Sequence, residues 1–279
     1  THRARRLLPI SGEVRVAVGD VVAAKDVVAE TFMDGDITPM NMANRLSCPA
    51  GDVAGLMLKQ IGEAVEKGEP IARSKGIFGA FKTEVPSDAT GTIEQVSSVT
   101  GQVMVRGAAI PVQVRAYLSG KVGEVLPKEG CIIENDVMVV PGIFGIGGET
   151  EGVIHVACSS HEETLEADAI TPEMKGAVVL GGARMTAAAL RKAIEVGAAA
   201  VVSGGLDDQD LKELLGRDLG VAITGSEQIG ITVIVTEGFG DIAMAERTWR
   251  LLADRAGRTA SVNGATQIRA GVMRPEILV

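Results

Sequence analysis

The feature that most constrains this chain is a change of hydrophobic period part-way along it. From Leu8 to Val140 the apolar residues come in runs of three to six, with Val or Ile at alternate positions and Gly, Asp and Pro between the runs. Alternation turns one face of a run to a core and the other to water, which is the pattern of β-strands. After the glycine-dense stretch Pro141-Gly-Ile-Phe-Gly-Ile-Gly-Gly148 the period lengthens to about 3.6 residues, and strand-like and helix-like runs alternate. The spacing predicts strands at 177–180, 199–203 and 231–236 and helices at 186–196, 207–215 and 241–256, with Asp207 and Asp241 as N-caps. Such alternation favours a mostly parallel sheet. With 279 residues there is chain enough for two cores. The expected fold class is therefore two-domain α+β: a β-rich domain over 1–150 and a small α/β domain over 151–279, with the boundary near 152–172.

The first half contains repeated hairpin units. Gly12-Glu-Val-Arg-Val-Ala-Val-Gly-Asp20, continuing to Ala29, is echoed at Ile61-Gly62-Glu-Ala-Val-Glu-Lys67-Gly68-Glu69-Pro-Ile71-Ala72 and more weakly at Gly120–Gly130. Together with Glu84-Val-Pro-Ser-Asp-Ala-Thr-Gly-Thr-Ile93 and Gly101-Gln-Val-Met-Val105, the second copy resembles the biotinyl/lipoyl carrier domain, or barrel-sandwich hybrid. The resemblance covers about 59–106, with echoes at 10–30 and 119–134. It implies that Gly62, Gly68 and Gly91 lie in turns and that Val65, Ile71, Val85 and Ile93 point inward.

A carrier of that family holds its prosthetic group on a lysine about five residues before the second half opens. Counting back from Val85 reaches Ala80, so the resemblance comes without the modified-lysine motif, and no cofactor is expected. Lys75 is the residue that a carrier reading would have to use. The tip, Ser74 to Lys82, instead carries Ile77, Phe78 and Phe81 in a glycine-rich setting. The chain has only five Phe, one Tyr and one Trp, and Phe144 lies in a second glycine-rich segment. Large apolar side chains on loops are a surface for a partner. Ile77, Phe78, Phe81 and Phe144 are therefore the expected partner-binding residues, with a second copy of the chain as the simplest partner.

In the second half three predicted strands end in glycine, at Leu180-Gly-Gly-Ala-Arg184, Ser203-Gly-Gly-Leu-Asp207 and Thr236-Glu-Gly-Phe-Gly-Asp241. Parallel sheets bind ligands beyond the carboxyl ends of their strands. Gly181, Gly182, Arg184, Gly204, Gly205 and Gly238 are thus expected at a ligand crevice, joined by Arg269 and Arg274 from the polar closing segment. Short strand-to-helix turns need glycine for steric reasons as well.

No catalytic or metal set is expected. His155 and His161 flank Cys158, but on one strand they lie roughly 20 Å apart at about 3.3 Å per residue. A net charge of -9 disfavours nucleic acid. Apolar runs of about five residues fall far short of the roughly 20 that a membrane span needs. Cys48, Cys131 and Cys158 are odd in number and scattered, which argues against a disulfide framework and fits a reducing cytoplasm. The opening Thr-His-Arg-Ala-Arg-Arg reads as a processed or trimmed N-terminus rather than a signal peptide. These features point to a non-catalytic binding or assembly protein acting through protein–protein contacts. The alternatives are a ligand sensor or enzyme using the glycine-rich strand ends, and a prosthetic-group carrier on Lys75.

Overall fold

The protein is described by a computed structural model over residues 1–76, 82–215, 229–266 and 274–279. It is a strand-rich α+β fold with several sheets, one of them mixed. Its contacts separate two compact units. One comprises Leu8–Glu13 and Ala29–Val114; the other comprises Thr1–Leu7, Val14–Val28 and Arg115–Val279. The first 150 residues thus do not group together, because 115–150 are packed with the C-terminal part.

The smaller unit holds a four-stranded antiparallel sheet in the order Ile37–Asn41, Gln102–Arg106, Gly91–Val96, Ala64–Val65. A separate hairpin pairs Pro70–Arg73 with Glu84–Pro86. Val65, Ile71, Val85 and Ile93 are each at most 5% exposed and belong to one core with Met40, Val53, Val103 and Val105. Gly62 and Gly68 sit in turns at φ 92° and 88°, a region that a Cβ disfavours. Gly91 differs from expectation, since it opens a strand. A Cβ there would lie 2.0 Å from the Arg106 carbonyl oxygen, so close strand approach explains the glycine.

The larger unit contains a small antiparallel sheet, His2–Leu7, Gly130–Asn135, Gly120–Leu126 and Val21–Val22 in spatial order. Its main sheet is built from β1 (Val139–Pro141), β2 (Phe144–Ile146), β3 (Glu149–Val156), β4 (Val178–Leu180), β5 (Ala200–Leu206), β6 (Thr232–Phe239), β7 (Thr259–Asn263) and β8 (Glu276–Leu278). The order is β1-β8-β7-β3-β4-β5-β6-β2. The strands β3, β4, β5 and β6 run parallel to one another, and the short strand Arg184–Met185 also pairs parallel with β5; β7, β8, β1 and β2 pair antiparallel, so the sheet is mixed rather than mostly parallel.

The two strands at the ends of this order, β1 and β2, are neighbours in the chain, with Gly142 and Ile143 between them. Pro141 and Phe144 can be no more than about 11 Å apart, three Cα–Cα steps of about 3.8 Å. In a flat sheet seven interstrand steps of about 4.8 Å would hold them roughly 34 Å apart. The sheet must therefore curl until its ends meet, and β1 and β2 are two halves of one strand that passes from β8 to β6. Gly142 N–H donates to Pro275 O at 2.7 Å and Ile143 N–H to Val235 O at 2.9 Å, which ties both flanks. A Cβ on Gly142 would come within 2.6 Å of Ile234 Cγ2, and one on Gly145 within 2.6 Å of Gly264 O. The glycine-dense segment beside the expected domain boundary is the closing strand of the sheet.

Alternation along the strands sends Ile154, Val178, Leu180, Ala200, Val202, Ile234, Val262 and Ile277 into one core and Val179, Val201, Val233 and Val235 into another. The second is covered by α1 (Ala187–Val196), whose Thr186 cap accepts from Ala189 N–H. Next comes α2 (Asp208–Leu215), with Asp207 Oδ1 accepting from Gln209 N–H at 2.9 Å as expected of a cap. The last helix, α3 (Glu246–Ala253), starts later than the expected 241. Asp241 does not cap it; Glu237 Oε1 accepts from Ala245 N–H at 3.0 Å instead.

Candidate functional site

The carboxyl ends of β3 to β6 gather Gly181, Gly182, Gly204 and Gly205 with the loop that follows β3. That loop folds across β4: Ala157 N–H donates to Leu180 O at 2.9 Å and Ala183 N–H to Glu163 O at 2.8 Å. A Cβ on Gly182 would sit 2.3 Å from Ser160 O, one on Gly204 2.3 Å from Met244 N, one on Gly205 2.3 Å from Gly240 O, and one on Gly181 2.9 Å from Ser203 Oγ. The neighbours that require glycine at these four positions belong to the chain itself, to its loops at Gly182, Gly204 and Gly205 and to β5 at Gly181. Gly238 is different: at φ 139° its Cβ direction is open.

The side chains of this end form local pairs. Ser159 donates both its N–H and its hydroxyl to Glu163 Oε2, each at 2.6 Å, which holds the Glu163 carboxyl below the usual range. Cys158 is 2% exposed; burial and then the nearby Glu163 push its thiol up to about 11, against which Gly182 N–H donates to it. At neutral pH it is a protonated thiol and a poor nucleophile. His161 Nδ1 lies 2.9 Å from Met244 O, so this nitrogen carries the proton and donates. His155, paired in register with Val179, keeps a buried Nδ1 without a hydrogen-bond partner. Among the described residues no cluster of His, Cys, Asp and Glu is arranged to hold a metal.

Arg184 approaches Asp210 of α2 at 3.3 Å. The approach is a charge contact rather than an aligned hydrogen bond, because Arg184 Nε and Asp210 Oδ2 both lack hydrogen-bond partners. Arg274 is exposed beside Pro275 at the closing strand, and Arg269 lies outside the described residues. No family model, curated protein or solved structure matches this chain.

Of the expected partner residues, Ile77, Phe78 and Phe81 lie outside the described residues. Phe144 is corrected: it sits in β2, 9% exposed, with its ring centroid 4.8 Å from that of Phe239, so its own chain covers it. Exposed apolar side chains of the smaller unit include Phe32 at 62% and Ile110 at 47%, together with Met33 and Ile37. They stand at strand ends, where alternation is too short to flag a face.

Sequence reasoning also missed a cluster in the larger unit. Arg6 grips Glu149 with Nη1 at 2.7 Å and Nη2 at 2.5 Å, and donates from Nε to Arg115 O at 2.7 Å. Its guanidinium lies 5.3 Å from the Tyr117 ring centroid, and the Tyr117 hydroxyl donates to Glu276 Oε1 at 3.2 Å. Burial, followed by Glu276 and Glu149, raises the Tyr117 phenol far above its usual value. These four residues come from distant parts of the chain, and no spacing rule links them. Their chemistry is that of a satisfied structural node.

Proposed function

We propose that the chain is a non-catalytic binding or assembly protein that associates with itself through the unit built on Ala29–Val114. The observation that carries this reading is the exposure of Phe32, Met33, Ile37 and Ile110 in that unit, each 42% exposed or more. Burying one such side chain fully is worth about 1.5–3 kcal/mol, and association costs at least about 4 kcal/mol. Four half-exposed side chains therefore support a weak, concentration-dependent contact, strengthened if Ile77, Phe78 and Phe81 join it. The pairings of Ala64–Val65 with Gly91–Thr92 and of Pro70–Arg73 with Glu84–Pro86 support reading residues 59–106 as a barrel-sandwich hybrid. A cytoplasmic home fits the free cysteines, and no helix among the described residues is long and apolar enough to cross a membrane.

Light scattering over about 10–100 μM, a range set by the expected weak affinity, tests the proposal. The wild type should gain mass with concentration, and Phe32→Ser with Ile37→Ser should lower that gain without lowering the melting temperature. A wild type that stays monomeric across the range refutes self-association. A second reading, a small-ligand site at the strand ends, is favoured by the unpartnered Arg184 Nε and the open side of Gly238. Mass spectrometry of molecules that co-purify with the protein separates it from the first.

A further inference from the structure

Next to the paired segments Pro70–Arg73 and Glu84–Pro86 of the smaller unit there is a groove of about 350 Å³. It arises where two chain segments part. Leu58 N–H donates to Ile71 O at 2.8 Å and Met57 bridges to Ala72, so this segment runs antiparallel along the hairpin's first strand. Before Met57 the chain turns off into the short 3₁₀ helix Ala50–Leu56, and the space beside Arg73 and Ser74 is left unfilled by a neighbouring strand. Leu56, Met57 and Leu58 give the groove its apolar lining, and Arg73, Lys75 and Lys82 give it positive charge.

The hairpin register places the two lysines. Ala72 faces Val85 and Arg73 faces Glu84, and Ser74 and Thr83 exchange hydrogen bonds of 2.9 and 2.8 Å. Lys75 and Lys82 are the next residues out on the two chains, and both line the groove. Like charges brought together on one surface repel. The carboxylate closest in register cannot relieve them, because Glu84 is engaged by Arg73 Nε at 3.0 Å and Nη2 at 2.5 Å. A chain whose net charge is -9 thus concentrates two positive charges at the mouth of one apolar-sided groove. An anionic group between the lysines would relieve the repulsion, and an apolar body beside it would cover Leu58, which is 43% exposed.

We propose that this groove binds an organic oxyanion, a small carboxylate or phosphate ester held by Lys75 and Lys82 with its apolar part over Leu56, Met57 and Leu58. The site is independent of self-association, which is read by mass rather than by ligand binding. The test is a backbone-amide NMR titration of the full chain with octanoate, octyl phosphate and inorganic phosphate. At least one of the two amphiphiles should shift the amides of residues 56–58, 73–75 and 82–84 with a dissociation constant of about 1 mM or tighter, and inorganic phosphate should bind about tenfold more weakly. Octanoate alone in that role assigns the head group as carboxylate, and octyl phosphate alone assigns it as phosphate. Lys75→Ala with Lys82→Ala should weaken binding about tenfold or more, and Lys175→Ala in the other unit should leave it unchanged. No saturable shifts with either amphiphile up to about 10 mM, shifts centred elsewhere, or equal affinity in the double variant would overturn the proposal.

Discussion

The two units solve the same problem, burying Val and Ile from short strands, in opposite ways. The smaller one closes much of its core with nearer neighbours, Ala72 with Val85 and Met104 with Gln95, although Ile37–Asn41 pairs with the more distant Gln102–Arg106. The main sheet of the larger unit closes only when Val140 meets Ile277 and Gly145 meets Ile234. In the first, each hairpin is stated locally by its turn residues. In the second, one strand must thread between two flanks brought together from afar, and two glycines leave the room. The comparison teaches that glycine has two uses: Gly62 and Gly68 mark turns, whereas Gly142 and Gly145, like Gly91 of the smaller unit, mark a tight approach of backbone.

The sharpest way to break the comparison is to fill the crossing. Gly145→Val should cost about 3 kcal/mol or more, because the Cβ meets a backbone oxygen that cannot move aside. Gly148→Ala, three residues on and with nothing within 4 Å of its Cβ, should stay within about 0.5 kcal/mol. Hydrogen exchange should rise across 115–279 in Gly145→Val and leave 29–114 protected. Equal loss of protection in both units would show that they do not fold separately.

A smaller effect should come from the node that joins the strand His2–Leu7 to β3 and β8. Tyr117→Phe removes the donor to Glu276 and should cost about 1–2 kcal/mol at neutral pH. The folded phenol holds its proton more tightly than the unfolded one, whose ordinary value is 10.0. Its contribution is therefore full below pH 10 and is lost as the pH rises through the folded value. Wild-type stability should fall more steeply above pH 10 than that of Tyr117→Phe, and parallel alkaline melting curves would contradict this.

The smallest effect separates the units by chemistry alone. Cys48, in the smaller unit, is partly exposed, whereas burial raises the thiols of Cys131 and Cys158 in the larger. Iodoacetamide at neutral pH should label Cys48 first, with the other two protected until denaturant is added. Early labelling of Cys158 would mean that the loop over β4 opens readily.

Much of this fold was legible where it depends on neighbours. The strands β4, β5 and β6, the helices α1 and α2, and the inward residues Val65, Ile71, Val85 and Ile93 follow from alternation, period and caps. The start of α3 is not legible because its N-cap is Ala245, which has no capping side chain, and the Ala245 N–H is met by Glu237, eight residues before it. The closure was invisible because nothing local announces that Val140 will pair with a residue so distant. Phe144 looks like a loop residue in the sequence for the same reason: Gly142 and Gly145 look like flexibility in one dimension and like clearance in three. At the strand ends the glycines are legible, and the atoms of Ser160, Ser203, Gly240 and Met244 that crowd them carry no pattern of their own.

The closing strand also sets a schedule. During synthesis at about 5–20 residues per second, the chain through Val114 is complete roughly 8–30 s before the β8 residues are added. Val139–Ile146 is made early in that interval, for most of which neither flank that holds it exists, and β8 is still missing once β6 is complete. The main sheet must wait as an open crescent with a bare rim, and it is during translation, rather than in the finished molecule, that this protein is most exposed to pairing with the wrong neighbour.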